Sequence, residues 1–354
     1  MTDIPIKLKG VPGATALNKT KPAFRIVSLS SRQVTPKPGP VSMTRIVPKP
    51  QTRIVPKTAA KGVGAPLVPQ QKNLKLFPPK KDKNKALNSL PFSSTRYEII
   101  KVIHEGGFGT VFKALDKMLK MDVAIKLLKP ASSQNQEALN QIKAEAAVTM
   151  KLSHEHIVRL HNIESEKGQL FIVMEYVDGQ TLREIIEQMG ALSLHTVLDI
   201  THSCTGALTY AHEQGVLHRD IKPENIMINQ QMSLKLLDFG LAIKMSRGQD
   251  QSDYIEGSPG YLSPEQLHGL PVDARTDVFS LAAVVCELLT GRRAFPETAR
   301  LKHMYDQDPV GIESLPAEVA QVIQWGLSRD MNARYNTPAE FYAAFEQVIR
   351  PLIS

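Results

Sequence analysis

Chemistry is densest in one short run, His218-Arg219-Asp220-Ile221-Lys222-Pro223-Glu224-Asn225. The Asp220 carboxylate can orient an acceptor hydroxyl. Five positions on, the Asn225 amide supplies a hard oxygen ligand of the kind Mg²⁺ takes. Lys222 lies between them, where an ammonium can neutralise a phosphoryl group in transit. Asp238-Phe239-Gly240 follows, a second carboxylate ligand beside a flexible glycine. Upstream stands Val123-Ala124-Ile125-Lys126, and Glu145 beyond it could hold Lys126 in an ion pair. Further upstream, Ile103-His104-Glu105-Gly106-Gly107-Phe108-Gly109-Thr110-Val111 forms a glycine-rich turn whose backbone can come close to phosphates. Phosphoryl transfer needs little covalent help from a protein. It needs phosphates held, charge neutralised and an acceptor hydroxyl aligned, and this order of residues offers all three.

These residues need particular elements beneath them. Short β-like runs at Tyr97–Ile103, Thr110–Leu115 and Met121–Leu128 predict a meander that carries the glycine turn and Lys126. Strand alternation then turns Val123, Ile125 and Leu127 to one face and Ala124 with Lys126 to the other. A small residue beside a cation suits a flat base and an anionic phosphate. A helix is expected over about Gln136–Leu152, then two strands meeting at Lys167-Gly168. After Thr181 the pattern is mostly helical, with one loop-rich interruption from Leu217 to Ser263. Strands first and helices later predict an α+β chain in two unequal lobes, divided at Tyr176–Gly179.

The formal net charge of +8 is unevenly spread. Residues 1–90 hold 18 Lys and Arg against only Asp3 and Asp82, while the remainder holds 25 basic and 33 acidic residues. That first segment also carries 13 of the 24 prolines, and its only aromatics are Phe24 and Phe77. It cannot bury enough apolar surface to order itself, so a disordered, proline-rich basic tail is expected over 1–95. Thr44-Arg45-Ile46-Val47-Pro48-Lys49 recurs there as Thr52-Arg53-Ile54-Val55-Pro56-Lys57, either duplicated linker or a short docking motif. Cys204 and Cys286 fit no metal spacing and read as buried thiols in a reducing compartment. The most apolar stretch, Val278–Leu289, is too short to span a bilayer and reads as a core helix. No signal peptide or transmembrane segment is expected, and the setting is cytoplasmic.

In order and spacing, the residues from about 97 to 350 resemble the protein-kinase family in every principal motif. Gly257-Ser258-Pro259-Gly260-Tyr261-Leu262-Ser263-Pro264-Glu265 and Asp273-Ala274-Arg275-Thr276-Asp277 are most similar to bacterial serine/threonine kinases. The resemblance implies a bilobal kinase-like fold: a β-rich N-lobe over about 96–176, a helical C-lobe over about 177–350, and ATP between them. It implies transfer of the γ-phosphoryl of ATP to protein Ser or Thr hydroxyls, with Mg²⁺, or Mn²⁺ in its place, as the metal. Asp220 becomes the catalytic base, with Lys222, Lys126 and Glu145 in the catalytic set and Asn225 and Asp238 on the metals. The nucleotide is expected against Ile103, Gly106, Gly107, Phe108, Gly109, Val111, Ala124, Lys126, Met174, Glu175, Val177 and Met227. Met174 would guard the back of the adenine pocket, Glu175–Val177 form the hinge, and Met227 lie on the floor. Glu265 and Arg334 resemble the family's buried ion pair, and Asp277 its anchor for the catalytic loop.

Three positions depart from the pattern. His104 replaces the first glycine of the phosphate loop, which predicts altered nucleotide affinity with binding retained. Ser263 replaces an alanine, a small-for-small change of little expected consequence, and Ala282 replaces a frequent glycine. Arg219 beside Asp220 suggests control by a phosphate on the loop Leu241–Gly257, with Ser252 or Ser246 as its site. Autophosphorylation is expected too, with tail hydroxyls such as Thr35, Thr44 and Thr52 as further targets. The basic tail reads as a docking arm for protein partners or a polyanion. Two other readings stand beside the kinase: a silent nucleotide-binding scaffold, and a nucleic-acid-binding tail with a kinase fold attached.

Overall fold

A computed structural model describes residues 94–106, 109–128, 136–239, 259–296, 305 and 308–354, all within the unit Gln71–Ser354. The basic tail to residue 93 with its repeats, Gly107, Phe108, Gly240 and the loop 241–258 with Ser246 and Ser252 lie outside the described residues.

The N-lobe is a five-stranded antiparallel sheet. Its strands are β1 (Tyr97–Gly106), β2 (Gly109–Asp116), β3 (Met121–Leu128), β4 (Leu160–Glu166) and β5 (Gln169–Glu175), in the order β1-β2-β3-β5-β4. Local chemistry fixes its turns. The Asp116 side chain accepts the N–H groups of Met118 and Leu119, at 2.9 and 3.1 Å, and so closes the β2–β3 corner. Lys167 and Gly168 form a two-residue hairpin loop with φ of 52° and 78°. Such a primed turn matches the right-handed strand twist, and glycine makes it cheap. Helix α1 (Gln136–Thr149) packs through Ala146, which is fully buried.

The C-lobe opens with β6 (Gly179–Thr181) and α2 (Leu182–Met189), the latter started by a capping box between Thr181 and Glu184. Then come α3 (Leu194–Glu213), β7 (Ile226–Asn229), β8 (Leu234–Leu236), α4 (Pro264–Leu267), α5 (Ala274–Thr290), α6 (Ala317–Gly326) and α7 (Pro338–Ile353). The expected loop-rich interruption after residue 217 contains β7 and β8, which join β6 in a second antiparallel sheet. Strands of three and four residues are too short for alternation to reveal them.

α5 is the spine of this lobe. Every residue from Thr276 to Leu289 is buried, as the apolar stretch foretold. Its Ala282 methyl fits because Gly326 of α6 faces it; a Cβ at 326 would sit 2.7 Å from that methyl. No described helix is long and apolar enough to cross a membrane.

Candidate active site

Alternation along β3 sorts its side chains as expected. Val123, Ile125 and Leu127 join Tyr97, Phe112 and Phe171 in a core on one face of the sheet. Ala124 faces the other way, into an apolar cluster with Met174 and Val177. Val111 and Met227 line the same cluster, so five residues expected around a flat base converge from β2, β3, β5, the hinge and β7. Tyr176, within the expected hinge, packs against it as well, and so does Leu237, which had no sequence signal of its own. Glu175 turns elsewhere: its carboxylate takes Lys235 at 2.8 Å and the Arg159 N–H at 3.1 Å. Ile103 sits on β1 and stays 40% exposed. Gly106 pairs with Gly109 at the neck of the glycine turn. Gly109 adopts φ 143°, and a Cβ there would lie 2.0 Å from the Leu127 carbonyl oxygen. That position admits only glycine.

Lys126 crosses the cleft to Asp238, with Nζ to Oδ2 at 2.7 Å. Glu145, its expected partner, lies on α1, and its side chain is outside the described residues. Burial alone would push the Asp238 carboxyl up. The Lys126 charge and hydrogen bond, with Lys222 behind them, outweigh that and hold it below the usual carboxylate range.

The loop between α3 and β7 gathers the rest. Lys222 Nζ donates to both Asp220 oxygens, at 2.9 and 2.8 Å. Asn225 Nδ2 donates to Asp220 Oδ2 at 2.7 Å and to the Asp220 carbonyl at 2.8 Å. With its amide nitrogen so used, Asn225 offers its Oδ1 to a ligand. Asp220, Lys222 and Asn225 therefore form one hydrogen-bonded unit.

Asp277 on α5 shapes this loop from below. Its carboxylate accepts the N–H groups of His218 and Arg219 at 2.9 and 2.8 Å, and meets His212 Nε2 at 2.7 Å. These bonds hold Arg219 at φ 66°, a left-handed conformation costly for a residue with a Cβ. Burial would raise the Asp277 carboxyl, but His212 and the loop N–H groups hold it down. His218, buried against the Phe239 ring at 4.4 Å between centroids, is pushed below its ordinary value by burial.

Ser263 contributes more than a small-for-small change suggests. It caps α4 and shares a capping box with Gln266, whose Nε2 donates to the Arg219 carbonyl at 2.8 Å. Arg219 Nε is buried without a partner among the described residues. The Glu265–Arg334 pair is present, at 2.7 and 2.8 Å, with Thr276 also donating to Glu265. A further cluster escaped the sequence altogether: Arg183 of α2 joins Glu224, Tyr261 and Glu287.

Among the described residues no three His, Cys, Asp or Glu side chains converge as a self-contained metal cage. The oxygens of Asp238 and Asn225 nevertheless fit Mg²⁺, which is commonly held by one or two protein oxygens plus water and phosphate.

Comparison with known proteins gives a consistent result. A sequence profile described as the protein kinase domain matches residues 97–345. The serine/threonine-protein kinase PrkC of Bacillus subtilis is 36% identical over 258 residues, 71% of this chain and 40% of PrkC. PknB of Mycobacterium leprae is 36% identical over 267 residues, 72% of this chain and 43% of PknB. The chain thus spans about two fifths of these relatives' length. The solved kinase domain of Mycobacterium tuberculosis PknI superposes with a TM-score of 0.60 at 27% identity, covering 72% of this chain and 97% of that one.

Proposed function

The chain belongs to the protein kinase domain family, and from that premise we propose that it transfers the γ-phosphoryl group of ATP to serine or threonine hydroxyls of other proteins. One observation carries the reading: Asp220, Lys222 and Asn225 are hydrogen-bonded together, and the Leu237 N–H on the Asn225 carbonyl sets the Lys126–Asp238 pair beside them.

The apolar cluster of Val111, Ala124, Met174, Val177 and Met227 takes the adenine, beside the hinge Glu175–Val177. Amides of the turn Gly106–Gly109 cover the phosphates, and Lys126 neutralises their charge. Asp220 accepts a hydrogen bond from the acceptor hydroxyl and takes its proton as the oxygen attacks. Lys222, already on Asp220, offsets charge on the phosphoryl oxygens. Asn225 Oδ1 and the Asp238 carboxylate would hold Mg²⁺, which would supply positive charge against that developing on the phosphoryl group. Glu145 would take over Lys126 and free Asp238 for that role.

Arg219, whose Nε is buried without a partner among the described residues, is suited to receive a phosphate on Ser252 or Ser246. The tail 1–95 serves as a docking arm for proteins or polyanions and as a target of autophosphorylation. An ATP-fed transferase belongs in the cytoplasm, where the buried unpaired Cys204 and Cys286 stay reduced.

The test is incubation of the full chain with labelled ATP and Mg²⁺ beside Asp220→Asn, followed by mapping of the phosphate. Incorporation lost in the variant supports the reading. Equal labelling in both chains, or none with generic protein substrates present, refutes it.

A further inference from the structure

The corner between β2 and β3 carries apolar side chains at its apex. Met118 is 78% exposed, Leu119 60% and Met121 41%. The backbone beneath them is tied down. The Asp116 side chain holds the Met118 and Leu119 N–H groups, and its carbonyl accepts the Lys120 N–H at 2.7 Å. Lys117 donates its N–H to the Arg96 carbonyl at 3.1 Å, and Lys120 takes φ 55° to complete the turn. A corner fixed in this way holds its methionine and leucine outward.

Charge at the corner has one sign. Asp116 is spent on Arg96, with Oδ2 to Nη2 at 2.7 Å, and Asp122 on Lys113 at 2.6 Å. Lys117 and Lys120 flank the apex, exposed and with no ion pair among the described residues. The basic segment joins the lobe at this same place. Residues 72–85 hold six lysines against the single acid Asp82, with Leu74, Leu76 and Phe77 among them. That run lies outside the described residues, and Lys85 precedes Arg96 by eleven positions. Covalent geometry alone keeps it within about 40 Å of the corner.

The chemistry of the partner follows from this pairing of apolar apex and cations. A nucleic acid would engage the lysines and leave Met118 and Leu119 in water, since the corner offers no aromatic ring for a base to stack on. An anionic bilayer uses both features. Apolar side chains enter the boundary between headgroups and acyl chains, while lysines meet the lipid phosphates. Stable attachment to a membrane surface takes two signals, and an inserted apex plus a polybasic run supplies them.

We propose that the corner Asp116–Met121 is a docking surface for anionic lipid, with Met118 and Leu119 inserted and Lys117, Lys120 and the lysines of 72–85 on the headgroups. This goes beyond the kinase reading and does not rest on it. Docking there leaves the cleft clear. β2 runs eight residues from the glycine turn to Asp116, a rise of about 25 Å.

The full chain is mixed with vesicles of phosphatidylcholine, or of equal parts phosphatidylcholine and phosphatidylglycerol, and binding is read by co-sedimentation. Wild type should bind the anionic vesicles at least about 10-fold more tightly, because only they attract the lysines. Met118→Ser combined with Leu119→Ser changes no charge. It should weaken binding to anionic vesicles by about 10-fold, since several methylene-sized groups leave the contact. Unchanged binding in that double variant overturns the proposal, because the basic segment alone would then account for attachment. Absence of vesicle binding by wild type overturns it as well. So does tighter binding of duplex DNA than of vesicles, relieved by Lys117→Gln with Lys120→Gln, which would assign the corner to nucleic acid.

A second readout covers the case in which the double variant fails to fold. Cys204 and Cys286 are buried, so an environment-sensitive thiol label goes to an introduced cysteine. On Met118→Cys its emission should shift to the blue with anionic vesicles. On Met232→Cys, at a C-lobe position 52% exposed, it should not. Equal shifts at both positions, or none at either, overturn the proposal.

Discussion

Replacing Asp277 by Asn is the sharpest probe of how the catalytic loop is held. The change keeps shape and removes charge at a fully buried position. Oδ2 meets two groups, His212 Nε2 and the His218 N–H, so the amide oxygen settles there. The amide nitrogen then confronts the Arg219 N–H, where Oδ1 accepted at 2.8 Å. One charge-assisted bond is lost and one buried donor is orphaned, together about 3–5 kcal/mol. The effect should not stop at stability. Arg219 keeps φ 66° against a cost of about 1–2 kcal/mol, and that bond is what opposes its return. Once released, Arg219 carries the next residue, Asp220, with it, and a displacement of about 1 Å there costs on the order of 100-fold in rate. Urea unfolding gives the first number and phosphotransfer by the same preparation gives the second. His212→Ala is the control, because it removes one contact and leaves both loop N–H bonds. A variant Asp277→Asn within about 1 kcal/mol of wild type would refute the reasoning. So would a rate loss in His212→Ala as large as in Asp277→Asn.

Other outcomes follow from the same contacts. Arg334→Met leaves Glu265 buried without its cation and strips donors from the carbonyls of Ser328, Arg275 and Arg329. It should cost about 3–5 kcal/mol in urea unfolding, while Glu265→Leu in the same chain recovers a good part of it. Gly260→Ala puts a Cβ 2.4 Å from the Phe295 carbonyl oxygen, which should lower stability by about 1–3 kcal/mol and appear as a fall in Tm. Burial holds the His218, His154 and His161 rings below their ordinary values, so the unfolded chain binds protons that these native rings refuse. Their contribution is complete above about pH 6.5 and lost as pH falls below it, by up to about 1.4 kcal/mol per pH unit for His218. Denaturation curves between pH 7.5 and 5.5 should therefore flatten in His218→Gln.

What the sequence made legible is what depends on near neighbours. Period-2 alternation placed Ala124 against Val123 and Ile125 correctly, because strand geometry leaves no other arrangement. The Lys167-Gly168 turn and the buried helix around Val278–Leu289 were readable for the same local reasons. Asp220, Lys222 and Asn225 sit within one short loop, so their spacing alone predicted a shared site. Contacts between distant elements carried no local signal; the Glu265–Arg334 pair and the Asp277 anchor were foreseen only through the family resemblance. Lys126 meets Asp238 across 112 positions, and Arg183 finds Tyr261 and Glu287 across 78 and 104. Nothing near Arg183 in sequence separates it from any other arginine on a helix. Ser263 was undervalued because its effect passes through Gln266, which reaches a carbonyl 47 positions from itself.

Asp277 also decides how long the catalytic loop keeps its shape. Loops ordinarily open by local fluctuation, and their amides exchange with solvent in advance of the core. Here the His218 and Arg219 amides are bonded to a side chain rooted in α5, a helix buried over Thr276–Leu289. Those two hydrogens should therefore exchange more slowly than other amides of the loop. The segment that positions Asp220 is thus a loop tethered to a helix core, and the protection of its amides should follow that helix more closely than its neighbouring loops do.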